Sequence, residues 1–154
     1  MTDFLEAVME KAFENAQKAG KDGEIPVCAA VFDPLRREIV SVAVNRTEND
    51  SDPTAHAEIL AIREACKKRK APRLPDCDMY VTLEPCPMCA AAVSFARIRR
   101  LYFGAYSPKT GAVEHGCRLY DSPTRLYVPE VYGGFGEKRA EQLLKTFFET
   151  LRTP

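Results

Sequence analysis

Two cysteines stand three residues apart in Pro85-Cys86-Pro87-Met88-Cys89. At that spacing on a helix both side chains fall on nearly one face. If Pro87 opens the helix, both sulfurs sit at its positive end, which favours thiolate, the form that binds zinc. Cys86 and Cys89 then make a two-sulfur chelate. The third donor is His56, in Thr54-Ala55-His56-Ala57-Glu58-Ile59-Leu60. Three protein donors, not four, is the pattern of a catalytic zinc site. The fourth position stays open to water, whose pKa zinc lowers from about 15.7 to about 7. Moving that water's protons needs a carboxylate, and Glu58 is the one at hand. On a regular helix residues i and i+2 point about 200° apart. His56 and Glu58 therefore converge only if they lie in or beside a first helical turn.

Two other chemistries compete for the same cysteines. A redox pair uses the same spacing, usually in a different βαβ setting. A structural zinc site from Cys66, Cys77, Cys86 and Cys89 would leave the His-x-Glu pair unexplained. Cys28, Cys66, Cys77 and Cys117 read as small buried hydrophobes or spare thiols. His115, in Gly111-Ala112-Val113-Glu114-His115-Gly116-Cys117, reads as a solvated side chain.

The chain that must position these groups has 154 residues, 45% of them hydrophobic, which suits one packed domain over 1–154. No apolar run reaches the roughly 18 residues of a membrane span. The opening residues lack the basic n-region of a signal peptide and carry scattered acids, so a cytoplasmic protein is expected. Six cysteines in that setting argue for thiols or metal over a disulfide framework. Lys plus Arg equals Asp plus Glu at 22 each, so any nucleic-acid contact must rest on a local patch and not on bulk charge. The candidates are Lys67-Lys68-Arg69-Lys70 with Arg73, the group Arg97, Arg99 and Arg100, and Lys109.

Periodicity supplies the elements. Phe4, Leu5, Val8, Ala12, Ala16 and Ala19 recur at helical spacing up to Gly20. Two β-rich runs, 24–32 and 37–44, flank Asp33-Pro34-Leu35-Arg36 and predict a hairpin. Asp52 as N-cap and Pro53 at the first helical position predict the helix carrying His56 and Glu58. A strand follows at 78–83, a helix opening at Pro87, and a strand at 99–105. Residues 107–134 read as a long irregular segment, of the kind that is functional or covers something. A last helix spans roughly 137–151. The pattern predicts an α/β fold, a three-layer α/β/α sandwich around a mixed sheet.

The order His-x-Glu, then Pro-Cys-x-x-Cys, is the signature of zinc deaminases acting on nucleobases. At 53–59, 80–92, 96–105, 108–112 and 143–148 the chain resembles the cytidine-deaminase-like superfamily, and within it the bacterial tRNA-specific adenosine deaminases. The resemblance covers most of the chain. It implies a five-stranded mixed sheet, a homodimer, Zn2+ on His56, Cys86 and Cys89, and Glu58 as proton shuttle. By the same likeness Asn45 would bond the base, and the backbone around Ala57 with the carbonyls of Glu84 and Pro85 would hold water and amine. Ile25 and Val27 would wall the pocket. Lys109 and Phe147–Phe148 would meet the RNA or close the site. The chain departs from the family pattern at Pro123–Val128, at Cys28 where glycine is usual, and in a short tail after Phe148. Three functions follow: conversion of adenosine to inosine at the wobble position of a tRNA anticodon loop, deamination of a free base or nucleoside (guanine, cytosine or adenine type), or a non-catalytic zinc-stabilised module.

Overall fold

A computed structural model describes residues 2–152; Thr153 and Pro154, the end of the tail, lie outside the described residues. The first segment forms α1 (Asp3–Lys21), capped by Thr2, whose hydroxyl oxygen accepts the Leu5 N–H at 3.2 Å. Asp3 and Glu6 in its first turn and Lys18 and Lys21 in its last suit the helix dipole. The stripe Leu5, Val8, Ala12, Phe13, Ala16 and Ala19 is buried, as its spacing requires.

The hairpin pairs β1 (Cys28–Asp33) with β2 (Glu38–Val44) antiparallel. Its turn is held by Asp33, whose Oδ1 accepts the N–H groups of Leu35 and Arg36 at 3.1 and 3.0 Å. The first strand begins four residues later than the apolar run suggests. Pro26 has no N–H for a ladder, and the Val27 N–H bonds the Ile25 carbonyl at 2.8 Å. There follow α2 (Ala57–Arg69), β3 (Asp78–Leu83), α3 (Pro87–Phe95), β4 (Arg100–Ala105), β5 (Glu130–Tyr132) and α4 (Glu137–Arg152). The sheet order is β2-β1-β3-β4-β5, with β3–β4 and β4–β5 parallel. The expected α/β/α sandwich with a mixed five-stranded sheet is therefore present. Periodicity alone finds four strands, because β5 has three residues and lies inside the segment read as irregular.

Strand β1 is buried along its whole length, and its side chains alternate between the two faces. Ala29 and Val31 join Ala57, Ala61, Ala65, Ala90 and Val93 beneath α2 and α3. Cys28, Ala30 and Phe32 join Val8, Ala12 and Phe13 of α1 and Ala140 of α4. Small alanines on α2 and α3 let those helices sit close to the sheet, so their N-termini meet at one edge. Among the described residues no helix is long and apolar enough to cross a membrane.

One buried carboxylate organises the long segment. Glu84, just past β3, is 2% exposed. Its Oε1 accepts the Ser107 N–H at 3.0 Å, and its Oε2 accepts the N–H groups of Val113, Glu114 and His115 at 3.1, 2.8 and 3.0 Å. The His115 ring also reaches it, Nδ1 to Oε1 at 2.8 Å, which corrects the reading of His115 as a solvated side chain. Gly111 is required here, since a Cβ would meet the Glu84 Cδ at 2.6 Å and the Ser107 carbonyl at 2.5 Å. Burial alone would raise the Glu84 carboxyl; the N–H donors of Ser107, Glu114 and His115 and the His115 ring outweigh it and hold it below the ordinary 4.5.

The Glu84→Gln substitution places an amide NH2 against donors on one side or the other, leaving them unpaired. It is expected to lower unfolding stability by about 2 kcal/mol or more at neutral pH, measured by urea titration. A carboxyl depressed in the folded state contributes stability above 4.5 that fades as pH falls below it. The gap between wild type and variant should therefore narrow in acid. A gap independent of pH, or no gap, would contradict this role.

Candidate metal centre and active site

The helix that carries His56 and Glu58 starts later than Asp52-Pro53 predicts. Asp52 instead closes a turn, its Oδ1 accepting from the Thr54 N–H at 2.8 Å and the Thr54 hydroxyl at 2.7 Å. His56 becomes the N-cap of α2, extended at φ −74° and ψ 150°, and its side chain makes no capping bond. The correction resolves the geometry of the His-x-Glu pair. In the body of a helix the two side chains would point apart; with His56 outside the helical turn and Glu58 second within it, they converge.

The cysteine loop repeats the device. Cys86 is the N-cap of α3 at φ −73° and ψ 173°, again with no capping bond from its side chain, and Pro87 occupies the first helical position. Two helix N-termini thus face one point with their cap side chains free. Cys86 Sγ lies 3.6 Å from His56 Nδ1, and Cys89 Sγ lies 3.5 Å from the same atom. A tetrahedral zinc with Zn–S of about 2.3 Å and Zn–N of about 2.05 Å places N and S about 3.6 Å apart. The donors already stand at the spacing the ion needs. Among the described residues no further His, Cys, Asp or Glu completes this group, and Cys66 and Cys77 lie outside it. All six cysteines are free thiols, so Cys86 and Cys89 form no disulfide.

The two thiols are shifted in opposite directions. The Cys86 thiol is driven down to about 5 by the hydrogen bond from Cys89, by the N–H groups of Cys89 and Met88, and by His56. The Cys89 thiol is driven up, first by that same bond and then by burial and Glu58. Zinc held here would take both sulfurs as thiolates. Glu58 is 4% exposed. Burial pushes its carboxyl up to about 7, with help from Cys86, against the pull of its own N–H, His56 and Cys89. A bound dication opposes that rise.

The remaining candidates spread outward from this point. Ala57 is the buried first residue of α2 and shares a core cluster with Val27. Asn45 is buried after β2; its N–H bonds the Val27 carbonyl at 3.1 Å and its amide donates to Thr47 Oγ1 at 3.1 Å. Ile25 is 36% exposed. The Pro85 carbonyl accepts the Ala112 N–H at 2.9 Å, which leaves one lone pair free. Glu84, expected to act through its carbonyl, engages the loop through its side chain. Lys109 is exposed on the loop that Glu84 holds. Phe148 is 41% exposed and its ring packs edge-on against Phe147, 5.3 Å between centroids.

Sequence reasoning missed two ties between the long segment and the centre. One is the Glu84 carboxylate; an acid that follows directly on the apolar strand 78–83 was the available signal. The other is Tyr120, whose hydroxyl donates to the Ala90 carbonyl on α3 at 2.8 Å. Nothing in its local pattern marks it.

Known proteins resemble this chain in sequence and fold. The chain is 49% identical to the tRNA-specific adenosine deaminase of Agrobacterium fabrum, over 94% of this chain and 93% of that one. A solved structure from a study of A-to-I editing by tRNA:A34 deaminases at the wobble position superposes with a TM-score of 0.85. It is 48% identical, and the match covers 88% of this chain and 97% of that one. Guanine deaminase from Bacillus subtilis superposes at 0.65 with 28% identity, over 100% of this chain and 96% of that one.

Purified protein is expected to hold one zinc per chain by elemental analysis. His56→Ala or Cys89→Ser should abolish stoichiometric zinc after dialysis, while Cys66→Ser keeps it; loss of zinc from Cys66→Ser would contradict the three-donor site. The profile of the cytidine and deoxycytidylate deaminase zinc-binding region matches residues 2–105. That span holds His56, Glu58, Cys86 and Cys89, and the chain belongs to this family of zinc-binding deaminases.

Proposed function

We propose that the protein deaminates adenosine to inosine at the wobble position of a tRNA anticodon loop, as a cytoplasmic homodimer, with Glu58 carrying the protons. His56, Cys86 and Cys89 would hold zinc. When bound, the ion supplies the Lewis acidity that makes water nucleophilic near neutral pH. Glu58 takes a proton as the water oxygen adds to C6 of the flipped adenine and delivers it to the adjacent ring nitrogen. It then takes the remaining proton from the added hydroxyl and gives it to the amine as the C6–N bond breaks, so that a carbonyl forms and ammonia leaves. One carboxylate serves as base and acid, a task suited to a group whose pKa lies near the working pH. Asn45 would fix the base by hydrogen bonding, the Ala57 backbone and the carbonyls of Glu84 and Pro85 would orient water and amine, and Val27 and Ile25 would line the pocket. Lys109 and Phe148 would meet the RNA around it.

The observation that carries the choice of substrate is the gradient of likeness. Identity is 49% to a tRNA-specific adenosine deaminase across nearly the whole chain, against 28% to a guanine deaminase. A second reading, deamination of a free base or nucleoside, is favoured by the zero net charge. Replacing Glu58 with Ala is expected to leave a folded, zinc-loaded protein with kcat reduced about 10²- to 10⁴-fold; full turnover would contradict the shuttle role. Incubation with an anticodon stem-loop, and separately with free adenine, guanine, cytosine and their nucleosides, should yield inosine in the RNA alone. Ammonia from a free base with none from RNA would establish the second reading instead.

A further inference from the structure

The chain keeps most of its arginines in ion pairs. Arg69 faces Asp33 and Glu38 at 3.3 and 3.8 Å. Arg99 grips Asp78 with two bonds of 2.9 and 3.0 Å. Arg100 meets Glu130 at 2.7 Å, and Lys68 meets Glu64 at 3.7 Å. Lys68 and Arg69 of one basic run, and Arg99 and Arg100 of the other, are therefore neutralised where they stand. Among the described residues six arginines stand outside such pairs, and three of the six gather at one place. Arg73 comes from the α2–β3 connection, Arg97 from the end of α3, and Arg125 from the long segment. All three are exposed, and none pairs with a carboxylate among the described residues. They line one open cavity of about 520 Å3, together with Phe95 and Tyr127.

The aromatic groups give this cluster its character. Phe95 is 71% exposed, a bare ring beside three unpaired guanidiniums. The Arg97 guanidinium lies 5.3 Å from the Tyr127 ring centroid, so each holds the other in place. Arg97 sits at φ 60° just past α3, with its N–H on the Ser94 carbonyl and the Ile98 N–H on the Val93 carbonyl. Glycine is the usual residue at that position of a helix end. Arginine accepts a less favourable backbone there and turns its side chain into the groove.

Guanidinium forks match phosphate oxygens in pairs, and exposed aromatic faces stack unpaired bases. A small anion would not need the rings, and an acidic peptide would not need them bare. We propose that the Arg73–Arg97–Arg125 groove binds the phosphodiester backbone of the RNA substrate, with Phe95 stacking a base. The inference rests on the RNA reading above. The groove lies at the far end of α3 from Cys86, about 13 Å away along nine helical residues. A strand crossing both would have its reacting base at one end of α3 and its backbone anchored at the other.

The test uses the full protein, an anticodon stem-loop, and the combined variant R73Q/R97Q/R125Q, with R125Q alone as a second variant on an exposed loop. Binding by fluorescence anisotropy is read between about 50 and 200 mM KCl, and turnover of the stem-loop at low salt. Each phosphate contact contributes about 0.7 to 0.9 to the slope of log affinity against log salt. The triple variant should lose about 2 from that slope and R125Q about 0.7. The drop in kcat/KM should lie in KM, with zinc content kept, and Phe95→Ala should weaken binding without changing the slope. A wild-type slope in the triple variant overturns the groove. A smaller particle in sedimentation with an unchanged slope makes this face a contact between two copies and also overturns it. Wild type that binds the stem-loop yet deaminates only free bases contradicts the proposed function instead, and the slopes still decide the groove.

Discussion

The structure depends on two helices starting at the same point with their cap side chains left free. His56 and Cys86 each hold the N-cap position, where a side chain would ordinarily accept a bond from its own helix. Neither does. The first turns of α2 and α3 therefore aim partial positive charge at the place where His56, Cys86 and Cys89 meet. That field favours thiolates and any anion that forms beside them. It also keeps two sulfurs and an imidazole at 3.5–3.6 Å without a fourth protein donor to close the set. The sheet makes the meeting possible: both helices pack on one face through alanines, and β3 runs directly into the cysteine turn.

The second requirement is that the long segment stay over the centre. Glu84 meets it by accepting four backbone N–H groups and one imidazole on a single buried carboxylate. Because Glu84 and Pro85 immediately precede Cys86, the metal ligands and the loop share a foundation. The Ala112 bond to the Pro85 carbonyl and the Tyr120 bond to Ala90 fasten the same segment to α3. Lys109 rides on this loop, so a contact with a polynucleotide there would be positioned by the residues that position the metal.

Much of this was legible in the sequence, and the reasons differ by element. The helices α1 and α4 and the strands β1 to β4 are long enough for their periodicity to show. The donor set was legible because Cys-x-x-Cys with a distant His-x-Glu has few other uses. The start of α2 was misread: Asp52-Pro53 has the chemistry of a helix start, but the Thr54 N–H and hydroxyl consume the Asp52 side chain. Strand β5 was invisible to periodicity because three residues carry no alternation. The Glu84–His115 pair was hidden because its members are thirty-one residues apart and each is unremarkable alone. Which of the basic residues keep a free charge was hidden for a related reason. Runs of basic residues stand out in a sequence, whereas the carboxylates that neutralise them, such as Asp78 for Arg99, lie elsewhere in the chain.

Family membership shows a hydrolytic deaminase; in the function proposed, the three-donor centre and the buried Glu58 would contribute placement, a dry carboxylate and a prearranged field. The direct measurement is X-ray absorption at the zinc edge of the loaded protein. The account predicts two sulfur neighbours at about 2.3 Å and two nitrogen or oxygen neighbours at about 2.0–2.1 Å, one of the latter exchangeable with solvent. A shell of four sulfurs, or one in which no neighbour exchanges, would contradict it.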